Sequence, residues 1–158
     1  MRKNIETNIH DTTEVWLDSK ANSLGYFCIK LPALVGRVMF KDLKYIALET
    51  KSNVRVSLHD SPDAVFHDMI VVEHKNSKFR PHMHLTKGET CHIIEGSVGV
   101  FVFDNLGNIM DCAVLTKEGI SIFRIPEKTF HLVIPVSEIV IYQESKPGPF
   151  IRETDSIW

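Results

Sequence analysis

The sequence predicts a mainly-β protein, a sandwich or barrel preceded by a short segment of helix and extended chain. Three observations carry that expectation. From about Asn53 onward, short runs rich in Val, Ile and Phe recur at roughly the 8-to-12-residue interval of an all-β domain. Turn chemistry separates them, as in Asp104-Asn105-Leu106-Gly107-Asn108 and in Glu95-Gly96-Ser97, both of which read as hairpin connections. Sustained helical periodicity is confined to one place, ahead of those runs.

That place is about 38–50, where Met39, Phe40, Leu43, Ile46, Ala47 and Leu48 form an apolar face and Lys41, Asp42, Lys44 and Glu49 a polar one. Before it, 26–31 reads as a short strand or buried loop halted at Pro32. After it come nine candidate strands: 54–58, 65–74, 78–84, 90–95, 98–104, 109–115, 120–125, 129–134 and 138–144. Antiparallel pairing between neighbours in sequence is the economical topology for such runs. The expected divisions are an extension over 1–52, a barrel over 53–150 and a tail over 151–158.

A chain of 158 residues fits one domain, and 44% hydrophobic with 24% charged residues is ordinary globular usage. A net charge of −2 supplies no basic field for nucleic acid or an anionic membrane, so neither is an expected partner. Cys28, Cys91 and Cys112 have no C-x-x-C spacing and read as reduced thiols. No apolar run approaches the ~20 residues of a membrane helix, and the start lacks a signal-peptide core; a cytoplasmic protein is expected.

Four of the eight histidines fall between positions 59 and 82, but the informative segment is Arg80-Pro81-His82-Met83-His84-Leu85-Thr86-Lys87-Gly88-Glu89. On a strand, side chains alternate faces, so His82 and His84 point the same way and can hold one ion. A turn at Gly88 returns the Glu89 carboxylate toward the same point. Farther on, Pro126-Glu127-Lys128-Thr129-Phe130-His131 sets a histidine just inside a strand. The same parity turns Arg80 inward as a candidate anion donor, and Cys91 inward beside Glu89.

These residues resemble the two motifs of the cupins. His82, His84, Glu89 and Gly96 follow the latter part of the first, G-x5-H-x-H-x3,4-E-x6-G, spacing included; Gly119, Pro126 and His131 follow the second, G-x5-P-x-G-x2-H-x3-N, with one extra residue between Gly119 and Pro126. Lys128 stands where that motif has its second glycine and Pro135 where it has asparagine. Within the cupins the chain looks most like the WbuC family of cupin-fold metalloproteins, commonly associated with bacterial surface-polysaccharide gene clusters. That likeness runs from about Phe40 to Phe150 and takes in an Arg-x-x-x-His element, Arg55 to His59, and the closing Lys146-Pro147-Gly148-Pro149-Phe150. The resemblance implies a double-stranded β-helix (jelly-roll) barrel holding a divalent metal through His82, His84, Glu89 and His131; it implies no defined reaction.

Three imidazoles and one carboxylate suit Zn, Fe, Mn, Ni, Co or Cu and fit Ca or Mg poorly. Six-coordination would leave two positions open, whereas a tetrahedral ion would be sealed and structural. The expected ligand is small, oxygen-rich and anionic, sugar-derived or a carboxylate, with Arg80, Arg55 and His59 as its candidate contacts; for Arg55 and His59 the competing reading is packing or ion pairing at the barrel entrance. His10, His67, His74 and His92 read as ordinary surface or hydrogen-bonded histidines, and 146–150 as a rigid turn. A metal-dependent isomerase, epimerase or dioxygenase and a non-enzymatic binding module both remain open, as does an ion acting only as a staple. A homodimer joined through an exposed strand is expected.

Overall fold

The computed structural model describes residues 5–19, 21, 23–151 and 153–158. The expected helix is present as α1 (Arg37–Thr50), after β1 (Val15–Asp18) and β2 (Leu24–Cys28). There follow β3 (Val54–Ser57), β4 (Phe66–His74), β5 (Glu89–Glu95), β6 (Ser97–Phe103), β7 (Ile109–Thr116), β8 (Ile122–Ile125), β9 (Phe130–Pro135) and β10 (Ile139–Pro147). A seven-stranded sheet has the order β1-β2-β3-β4-β10-β5-β8, and a three-stranded sheet the order β7-β6-β9.

Two expectations are corrected. The run 78–84 is not a strand: it makes only isolated bridges, His82 with His131 and Met83 with Ile157. Pro81 has no N–H to give a ladder, which breaks pairing just ahead of the first histidine. Pairing is also less local than expected, because β10 lies between β4 and β5, and β2 runs parallel to β3 with α1 as the crossover. The strand β1 was not legible, since Val15 is its one buried apolar side chain and Trp16 and Leu17 are exposed.

The parity of β4 and β10 organises the interior. Ile70, Val72 and Ile141 face α1 and pack with Met39, Leu43 and Ala47. Met69, Val71, Val140 and Tyr142 face the other way, into the barrel, with Cys91, Ile93, Val98 and Val100. The apolar run 69–72 is thus a strand buried on both faces. Extending the barrel-side parity along each strand brings polar residues inward: His67 and Glu73 on β4, Glu144 and Lys146 on β10, Glu89 on β5. In register with Val71 and Met69, Arg55 and Ser57 of β3 share that face. Apart from Glu73, which lies opposite Val140, these polar residues gather at one end of the barrel interior.

The entry to α1 is closed from a distance. Gly36 at the N-cap offers no side chain, and the Glu6 carboxylate accepts the Met39 N–H at 2.9 Å. Among the described residues no helix is long and apolar enough to cross a membrane.

Candidate metal centre

The polar end of the barrel gathers the histidines. Reciprocal backbone hydrogen bonds of 2.9 and 2.8 Å between His82 and His131 fix one against the other. The Lys128 N–H donates to the His84 carbonyl at 2.7 Å, holding the turn before His131 against the other arm. One ligand nitrogen from each of His82, His84 and His131 lies within 4.8 Å of the others. Three nitrogens around one ion at about 2.1 Å each stand about 3.0 to 3.6 Å apart, so a closure of up to about 1 to 2 Å seats all three. His131 is fully buried and His84 3% exposed.

The outward nitrogens decide the tautomers. Nδ1 of His82 faces the Arg80 carbonyl at 3.3 Å, Nδ1 of His131 the Thr129 carbonyl at 2.9 Å, and Nδ1 of His84 the Asp155 carbonyl. A carbonyl oxygen only accepts, so each Nδ1 carries the proton and each Nε2 a lone pair. Yet Nε2 of His84 and of His131 stand 3.2 and 3.0 Å from the two oxygens of Glu89. Lone pairs against a carboxylate repel unless a proton or a cation lies between them. The donor set therefore fits a cation: neutral imidazoles oriented by their far nitrogens, and one carboxylate to balance charge.

The electrostatics agree. Burial, and then His131, pulls the His82 imidazole down to about 4, so it is neutral near pH 7. Burial also opposes charge on His84, but the Glu89 carboxylate and the Asp155 carbonyl outweigh it and raise that imidazole. For Glu89 burial acts upward, and the facing His131 and His84 rings, where they carry a proton toward it, overcome that and hold the carboxyl well below its usual range. Without a cation, a proton shared between His84 and Glu89 fills the same need; a metal would displace it.

Around this core lies a polar shell that the sequence reading missed. Asp155, 5% exposed, ties His84 by its carbonyl and Lys87 by its carboxylate. Lys146 pairs with Glu144 at 2.8 Å, and those charges, against the opposing cost of burial, push its ammonium up. Trp158 packs on His82 with ring centroids 5.2 Å apart. Glu73 is raised by burial to about 8 and is protonated at neutral pH; its Oε2 is buried without a partner.

A cavity of about 540 Å³ reaches His82, His84, Glu89 and Cys91, with Arg80 exposed at its mouth. A second, about 560 Å³, is lined by Arg55, His59 and His67 and shares His82, Glu73, Tyr142 and Trp158 with the first. The two are lobes of one space. His82, His84, Glu89 and His131 thus come together at one lobe, and Arg55 and His59 line the other. His67, read as an ordinary histidine, is hydrogen-bonded to the Pro62 carbonyl at 3.0 Å but is buried and stacked on His59. His92 is exposed on the opposite face of β5, as its parity requires.

The space is a feature of a recognisable fold. The capsular polysaccharide assembling protein CapF from Staphylococcus aureus superposes with a TM-score of 0.55 at 13% identity, over 68% of this chain and 31% of that one. The barrel has the cupin fold. CapF with the inhibitor 3-isopropenyl-tropolone gives 0.54 at 14% identity, again over 68% and 31% of the two chains. This cupin chain spans about a third of CapF's length. A family model described as a domain of unknown function, DUF6016, matches residues 43–115. No curated protein matches the sequence.

The cupin comparison gives meaning to one departure. Lys128, in place of the motif glycine, has φ 60 and so adopts the left-handed backbone that a glycine takes freely. Lys128→Gly is expected to relieve about 1 kcal/mol of that strain and to return part of it as unfolded-state entropy. The net is a gain of about 0.5 kcal/mol in urea unfolding at fixed metal occupancy; a loss of stability would show that the lysine side chain itself supports the turn.

Proposed function

We propose that this protein is a metal-binding cupin of the WbuC type, in which His82, His84, Glu89 and His131 hold one transition-type divalent ion that receives a small, oxygen-rich, anionic ligand. The observation that carries the reading is the set of three inward Nε2 lone pairs, each enforced by a backbone carbonyl behind it. The open lobe of about 540 Å³ beside the histidines favours an accessible ion over a sealed staple. A capsular polysaccharide assembling protein among the neighbours of like fold is in keeping with a sugar-related ligand in bacterial surface-polysaccharide metabolism.

When bound, the ion supplies Lewis acidity to a coordinated oxygen. The chain's own residues do the rest. Arg80, at the mouth, meets the anionic group of an entering ligand. Trp158 against His82 narrows the approach from that side. Glu73 holds a proton on a carboxyl within the space, where it can donate to a ligand oxygen or take a proton back. The exposed strand β7, with Ile109, Met110 and Val114 solvent-facing, is where the expected homodimer would pair.

Tropolone, a bidentate oxygen donor, is the test ligand. Titrated into the metal-loaded protein and followed by its absorbance, it is expected to bind saturably, and to lose that binding after chelation or in His82→Ala. Equal binding to the chelated protein would refute an ion-centred ligand site.

A further inference from the structure

The second lobe has a chemistry of its own. Arg55 lies with its guanidinium over Gly25, where a Cβ would stand 3.4 Å from Nε. Nε is buried without a hydrogen-bond partner, and no ion pair involves Arg55 among the described residues. A partly buried guanidinium left unpaired costs stability, unlike the exposed arginines that water satisfies. Other cations around the space are spoken for: Lys146 by Glu144, Lys87 by Asp155.

Beside Arg55 stand donors. His59 Nδ1 stands 3.2 Å from the Asp68 N–H and 3.3 Å from the Asp68 carbonyl, and in the tautomer that accepts from the N–H the proton is on Nε2, which has no described partner. Its orientation is fixed by stacking on His67 at 4.3 Å and edge contact with Phe27 at 5.5 Å, itself stacked on Trp16. Burial, and then His67, lowers the His59 imidazole to about 4, which keeps it neutral near pH 7. Carboxylates also line the lobe. Glu144 and Asp155 are paired and Glu73 is protonated.

We propose that Arg55 and His59 form an oxyanion subsite, which takes the phosphate or carboxylate end of a hydroxylated small molecule lying in the joined lobes. The subsite goes beyond the metal reading and stands without it. Planar guanidinium donors match an oxyanion in fork geometry, and a bound oxyanion selects the His59 tautomer that carries its proton on Nε2, with Nδ1 accepting from the Asp68 N–H. Glu73, at the junction of the lobes with a free Oε2, suits a hydroxyl of the same molecule.

The test uses the full chain after exhaustive chelation, with inorganic phosphate and acetate as separate probes at constant ionic strength. The readout is the side-chain NMR signals of His59 and His67. Saturable shifts are expected with the preferred probe, and the tighter of the two identifies phosphate or carboxylate. Arg55→Gln should weaken binding by about tenfold or more and Arg55→Lys by less. His82→Ala should leave it unchanged, which separates this subsite from the metal centre. Shifts that do not saturate, that survive Arg55→Gln, or that vanish in His82→Ala would overturn the proposal; if Arg55→Gln does not fold, the Arg55→Lys affinity decides it, and an affinity equal to wild type overturns the proposal.

Discussion

Isolated with its metal, the protein is expected to lose nearly all of it on His84→Ala or Glu89→Ala, with occupancy under about a tenth of wild type by elemental analysis after dialysis. His84 and Glu89 face each other at 3.2 Å inside the barrel, and neither can be replaced by water without opening a wall. Removing Glu89 deletes the one carboxylate of the set and leaves a dication to be held by neutral nitrogens alone. Removing His84 also frees the Asp155 carbonyl, and with it the contact that pins the 155–158 segment over the site. Chelation should lower the wild-type melting temperature and leave both variants where they are, because only a ligand of the folded state adds to its stability. His92→Ala, on the solvent face of the same strand, is the control and should change neither quantity. Undiminished metal in both variants would end the cupin-site reading.

What could be read in advance follows from which forces are local. Helix α1 and the strands from β3 onward were legible because periodicity of apolar residues reports burial directly. The metal motif was legible because two imidazoles two residues apart need little context, although the backbone that presents them is a pair of bridges and not the expected strand. Asp155 and Trp158 were not, since their roles arise only when the tail folds back beside Met83, more than seventy residues away in sequence. Glu73, Glu144 and Lys146 did carry a signal. Each sits at the inward parity of a strand whose apolar residues are buried, and a charged residue at such a position is either paired or functional.

The second large effect is on stability, at Gly148. A Cβ there would sit 1.9 Å from the Ala64 carbonyl oxygen and 2.7 Å from Nε2 of His67. Backbone cannot yield as a flexible side-chain end can, and His67 is held by its Pro62 hydrogen bond and its stack on His59. The Gly148 N–H is itself committed to the Val65 carbonyl at 3.0 Å, so the segment cannot slide outward without breaking that bond. Gly148→Ala should therefore cost about 3 kcal/mol in urea unfolding, the range of overpacking with a lost hydrogen bond. Gly107→Ala isolates the other way in which a glycine is required: its φ is +83 and nothing lies within 4 Å of the added carbon, so only about 1 kcal/mol of backbone strain is expected. A loss at position 148 no larger than at 107 would mean that the 146–150 turn can move, and that the floor it builds under His67 is not rigid.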